Sequence, residues 1–137
     1  MLRFIYRLST AGMLGAIVFF AAVASQAAFR SGLITDRGVS GNLVGAMLAR
    51  LDAATLAFSA LAVLCAVVLG QPRRALLPLG AGLLAAVSAF VITPMVHAMR
   101  EAGQTGTPAF GRMHGISAML MLVEMLLLAL ALWFEPK

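Results

Sequence analysis

The stretch MHGISAMLMLVEMLLLALALWF, residues 113–134, decides the fold. It is long enough to cross a bilayer, which takes about 20 mostly apolar residues. Its polar members are His114, Ser117 and Glu124. Three further apolar stretches precede it, at roughly Leu8 to Phe29, Leu51 to Leu69 and Ala75 to Met99. A continuous apolar run in lipid must close its backbone hydrogen bonds within itself, so each is read as a helix. A transmembrane barrel would show short alternating segments instead. The expected architecture is all-α: an integral membrane four-helix bundle, up-down-up-down, in one domain over 1–137, with helices at about 8–29, 40–69, 74–100 and 112–134. Small residues are expected to bring the helices together, at Gly12, Gly15 and Ala16 in the first and at Gly80, Gly82, Ala85, Ala86 and Ala89 in the third.

Composition agrees. The chain is 62% hydrophobic and 11% charged, against about 45–50% and about 25% in soluble domains. A soluble fold of this length could not cover that much apolar surface. The net charge of +5 would suggest nucleic acid in a soluble protein, but the basic residues are scattered singly or in pairs between the apolar stretches. That placement suits membrane anchors and argues against a nucleic-acid partner. Cys65 is alone, so no intrachain disulfide and no cysteine-based metal motif is available. Arg3 and Arg7 before an apolar run, with Ala22-Val23-Ala24 beyond it, follow signal-peptide grammar. The run is long enough to span, and is read as the first transmembrane helix.

The connections are a polar Gly-rich loop from Arg30 to Gly41, a tight turn at Gly70-Gln71-Pro72-Arg73-Arg74, a Gly/Thr/Pro loop from Glu101 to Gly111 and a tail at Glu135-Pro136-Lys137. Between Val39 and Arg50, Leu43, Val44, Met47, Leu48 and Leu51 recur at helical spacing. Two readings stay open there: an interfacial lead-in lying among headgroups, or a second helix that starts early and projects. Four spans put both termini on one side. With Arg3, Arg7, Arg73, Arg74 and Lys137 on that side and Arg30, Arg37, Arg50, Arg100 and Arg112 on the other, the basic residues balance. The Arg73-Arg74 pair in the shortest loop and the N-terminal arginines favour cytoplasmic termini in a bacterial-type inner membrane.

Three constellations could carry chemistry. His114, Ser117, Met121 and Glu124 are spaced three, four and three, which places them on one helix face. That face is expected to point into the bundle, with Glu124 about 15 Å deeper than His114. It reads as an intramembrane polar track for a proton, a cation or a ligand; the plain alternative is cross-helix hydrogen bonding that fixes packing. No basic residue of the other helices is expected near Glu124, which leaves it protonated or paired with a partner subunit. The second constellation is His97 and His114 among Met95, Met99 and Met113, all at one membrane surface, where copper or a haem iron would find suitable ligands. The third is a charged rim at the same surface, Arg50, Asp52, Arg100, Glu101 and Arg112, either solvated or docking a partner. Thr93-Pro94 is expected to kink the third helix. Phosphate-loop, Ser-His-Asp, HExxH and dinucleotide signatures are absent from the sequence, so no enzyme is expected.

The Arg50-bearing lead-in, Thr93-Pro94 with its polar continuation to Arg100, and above all Phe110-Gly111-Arg112-Met113-His114-Gly115-Ile116-Ser117 form a familiar pattern. The chain resembles the small four-helix membrane proteins of unknown function related to the eukaryotic transmembrane protein linked to cisplatin resistance. The resemblance covers nearly the whole chain and implies the four-helix architecture. Met121 stands where those proteins often carry an Asn, and His97 matches none of their pattern. The expected function is a non-enzymatic accessory or assembly subunit of a larger membrane complex, or a small transport-related component. Its expected partners are the lipid bilayer and other membrane subunits, and no cofactor is expected. The alternatives are a copper- or haem-binding protein using His97 and His114, and a proton- or solute-coupled carrier using Glu124.

Overall fold

The computed structural model describes residues 1–32 and 34–134. The Glu135–Lys137 tail, and with it the Lys137 of the charge balance, lies outside the described residues. Four helices carry the chain: α1 (Leu2–Arg30), α2 (Arg37–Val68), α3 (Pro72–Glu101) and α4 (Pro108–Trp133). α1 packs on α2 and α4, and α3 packs on α2 and α4, so the four form a square up-and-down bundle. Each is long and apolar enough to span a membrane, and only 17–33% of each span's window is buried inside the bundle. The rest is a coat of exposed side chains such as Phe19, Leu64, Leu83, Phe90 and Leu126, a surface that only lipid can solvate at low cost. This is a multi-pass membrane protein.

Local chemistry explains the element boundaries. Asp36 caps α2, its Oδ1 accepting from Gly38 N–H at 2.6 Å and Val39 N–H at 3.3 Å. Thr107 caps α4, its Oγ1 accepting from Phe110 N–H at 3.2 Å, with Pro108 opening the first turn. α2 ends at Gly70, whose φ of 70° reverses the chain: Gly70 N–H returns to Val67 O and Gln71 N–H to Ala66 O. α1 begins at Leu2, earlier than the expected Leu8, because Tyr6 is fully buried at the end of the bundle that holds the N-terminus, among Ala62, Cys65, Ala66 and Ala75. Its hydroxyl donates to the carbonyls of Arg74 and Ala131, 3.4 Å each.

The open question over Val39 to Arg50 is settled by continuity. α2 is one helix of 32 residues, about 48 Å long, so it starts early and projects past an apolar core about 30 Å thick. Ser40 Oγ anchors the projection by donating to Ala28 O at 2.8 Å. Two helices widen into π-turns, α1 at Phe20–Ala24 and α3 at Ser88–Ile92. The second immediately precedes Thr93-Pro94, where a residue without an N–H leaves the preceding turn short of a donor. The turn closes with Thr93 N–H on Ser88 O instead. The small-residue expectation divides. A Cβ at Gly82 would stand 3.0 Å from Ser59 Cβ and one at Gly80 3.2 Å from Leu127 Cδ1, so α3 is where helices approach closely. Gly12 and Gly15 meet nothing within 4 Å and do not serve that purpose.

Candidate functional site

The charged side chains buried in the described bundle are both acidic: Asp52 on α2 and Glu124 on α4, each 3% exposed. Asp52 Oδ2 accepts a 2.8 Å hydrogen bond from Ser88 Oγ, at the first residue of the α3 π-turn. Glu124 lies within electrostatic reach of Asp52. Thr55 and Ser59 follow Asp52 at intervals of three and four, so all three occupy one face of α2, and all three are buried. Thr55 Oγ1 donates to Leu51 O at 3.0 Å, one turn back. Ser59 Oγ is buried without a hydrogen-bond partner. The buried apolar cluster at mid-bundle joins Met13 and Ile17 from α1, Ala81 from α3 and Leu128 from α4, with Leu51 and Met125, the chain neighbours of Asp52 and Glu124, packed against it.

Two buried acids with no wholly buried base among the described residues form an unusual interior. Isolated charges in a low-dielectric core are strongly disfavoured unless paired, and intramembrane acids mark ion or proton sites more often than structural ones. The pair therefore has the chemistry to accept positive charge. The π-turn begins at Ser88, so the extra residue shifts the register of the part of α3 that follows, Thr93 included.

This arrangement corrects the expected rim. Asp52 does not stand with Arg50, Arg100, Glu101 and Arg112 at the surface; it is inside. The reason is the length of α2, whose C-terminal end at Val68 lies 16 residues beyond Asp52, about 24 Å away. Arg50, Glu101 and Arg112 are exposed. Arg100 is half-buried and does something specific. Its guanidinium lies over the backbone of Gly41 and Gly45, where a Cβ would stand 3.1 Å from Nε and 3.3 Å from Nη1, and Nη1 reaches Asn42 Oδ1 at 3.5 Å.

The polar face of α4 is also corrected. Glu124 points inward and Ser117 and Met121 are half-buried, but His114 is exposed. Its ring stacks on Phe110, centroids 6.4 Å apart and planes 2° from parallel. The track does not extend to His114, because α4 is the least covered of the four spans and His114 lies on its exposed surface. His97 is exposed and lies 3.4 Å from Glu101, one turn on. Among the described residues no three or more His, Cys, Asp or Glu side chains gather as a metal site would require. Copper or haem held by His97 and His114 would need its remaining ligands from elsewhere.

A family model described as a domain of unknown function, DUF4149, matches residues 8–105. The chain belongs to the DUF4149 family. Neither the curated proteins nor the solved structures contain a match. The DUF4149 match takes in α1, α2 and α3, and with them Asp52, Thr55, Ser59, Ser88 and Arg100. It ends in the loop before α4, so His114, Ser117 and Glu124 lie beyond it. In this DUF4149 chain the candidate site thus joins Asp52, Thr55, Ser59 and Ser88 from the matched region to Glu124 from the last helix. Asp52-Thr55-Ser59 could have been found from spacing alone; Ser88 could not, since its partner lies 36 residues away.

Proposed function

We propose that this DUF4149 protein takes positive charge into its bundle at Asp52 and Glu124, as a small transport-related component of a bacterial-type inner membrane. The observation that carries this reading is the pair itself: two acids 3% exposed, the charge of one bearing on the other, in an interior whose buried charged side chains, among the described residues, are acidic. It is the carrier alternative, with Asp52 added to Glu124. We read the protein as non-enzymatic and its termini as cytoplasmic, the latter supported by Arg73 and Arg74 at the shortest turn. Kinship with the small proteins related to the one linked to cisplatin resistance belongs to the same reading, and rests on the Phe110–Ser117 segment.

Infrared difference spectra of the protein in lipid, recorded between acidic and alkaline buffer, test the site. Two buried carboxyl bands are expected, one lost in Asp52→Asn and the other in Glu124→Gln. Spectra without such bands would remove the reading.

The accessory-subunit reading draws on the outward surface. α4 has only 17% of its span window buried, and its Ile116, Met119 and Val123 form a shallow apolar face beside Gly115 and Arg112. Native mass spectrometry in mild detergent decides it: a bare monomer with no co-purifying protein would count it out.

A further inference from the structure

The cross-helix contacts fix the level of every polar group in the bundle. The Tyr6 hydroxyl on Arg74 O and Ala131 O sets α1, α3 and α4 level at the inner end. Gly80 against Leu127 and Gly82 against Ser59 set α4 and α2 on α3 at mid-depth. Ser88 on Asp52 sets the outer level. At about 1.5 Å per residue, Glu124, one turn outward of Leu127, stands at the depth of Ser59, between one and two turns inward of Asp52. Thr55 stands between those levels. Thr10, fully buried on α1, lies one turn outward of Tyr6. Thr93 lies five residues outward of Ser88 along α3. No step between neighbouring levels exceeds about 8 Å along the axis, a span that takes at least two hydrogen-bonded waters at about 2.8 Å per O–H···O link.

Two of these hydroxyls are buried without a hydrogen-bond partner: Ser59 Oγ, in a residue 4% exposed, and Thr93 Oγ1. Thr93 lies outward of the carboxyl pair, and Ser59 lies level with Glu124, its deeper member. A buried hydroxyl left without a partner is costly, and both of these stand on the helices that carry or hold Asp52, α2 and α3. We propose that Thr93, Asp52, Glu124 and Ser59 form a proton file through the bundle, with the carboxyls as stations and the unpartnered hydroxyls as links. The proposal rests on the reading of the pair as a site for positive charge, and names that charge as the proton.

The groups present favour a proton over a metal cation. Hard cations gather about six or more oxygen ligands, whereas Ser88 turns its hydrogen to Asp52 and Thr55 turns its own to Leu51 O. Among the described residues the charged group that bears on Glu124 is Asp52 from α2; the buried residues of α1 and α3 near these levels, Met13, Ile17, Ala81, Ala85 and Ser88, carry no charge. Arg74 lies a level further in, at the Tyr6 contact. A proton from water on the outer side bonds to Thr93 Oγ1, which releases its original proton toward the Asp52 carboxylate. Asp52 passes it to Glu124, and Glu124 to Ser59 Oγ, which releases its own inward toward Thr10. Each hydroxyl ends with one proton and each carboxyl in its starting form; only O–H bonds form and break.

The full chain in phospholipid vesicles, with a valinomycin potassium potential and an internal pH dye, tests this. Wild type is expected to acidify faster than empty vesicles. Ser59→Ala and Thr93→Val are each expected to slow it about tenfold, the factor that accompanies about 1.4 kcal/mol of barrier, with unchanged melting. Thr93→Ser, which keeps the hydroxyl, should conduct like wild type. Wild-type rates in both Ser59→Ala and Thr93→Val would overturn the file. Vesicles that show no wild-type flux while the two infrared carboxyl bands persist would also overturn it, and would leave the charge-site reading standing; absent bands would remove both.

Discussion

Glu124→Gln is expected to reduce proton flux to the level of empty vesicles while making the protein harder to unfold. The two effects have one cause. Glu124 is 3% exposed and shares the interior with a second acid, so its ionised form is held where neither water nor a base can compensate it. Glutamine keeps the shape and the hydrogen-bonding carbonyl but carries no titrating proton and no charge to repel Asp52. A stabilisation of about 0.5–2 kcal/mol is expected, the usual size when a functional compromise is relieved. Thermal or denaturant unfolding in bicelles measures it beside the flux assay. A variant that loses both flux and stability would assign Glu124 to packing.

Gly82→Ala is expected to be the most damaging small substitution in the bundle. The added methyl would sit 3.0 Å from Ser59 Cβ, a backbone-proximal atom that cannot swing aside. Overpacking of this kind costs about 1–3 kcal/mol, and Gly82→Leu should cost more, because α2 and α3 must separate. In lipid that separation finds no hydrophobic penalty to oppose it, since close van der Waals contact is much of what holds the helices together. The same separation would pull Ser88 from Asp52, so the infrared band assigned to Asp52 should shift. Ser59→Gly vacates the contested space. Combined with Gly82→Ala it should recover most of the loss, a coupling of about 0.5–3 kcal/mol. Additive losses in the double variant would place the damage elsewhere.

How much of this is legible in the sequence depends on the distance over which each feature is encoded. The four spans are written as local hydropathy, and the Gly70-Gln71-Pro72 turn and the Asp36 and Thr107 caps as local chemistry. Asp52 is misplaced by counting its helix from the apolar edge at Leu51, which makes it a border residue; counted from the turn at Gly70 it falls well inside. The Asp52-Thr55-Ser59 spacing carries that information within eight residues. Ser88 is a lone hydroxyl in an apolar run, and its meaning depends on a π-turn and a partner on another helix. His114 shows the opposite failure. Its spacing from Glu124 puts both on one ideal face, but a shared face becomes a shared environment only where neighbouring helices cover it. The outer turns of α4 are uncovered.

The hydrogen bond between Ser88 and Asp52 also has a history. Chains are made at about 5–20 residues per second, and the two residues are separated by 36 positions. Asp52 therefore emerges seconds before the hydroxyl that will hold it, and α2 must enter the bilayer with that acid unaccompanied. Glu124 arrives last, on a helix that completes a bundle already holding one acid. A lone acid at mid-bilayer weakens insertion by about 2.5–3.5 kcal/mol on the translocon scale. The apolar turns from Ala60 to Leu69 and from Met125 to Leu132 thus serve as ballast: they carry two reluctant helices across before either acid has found its neighbour.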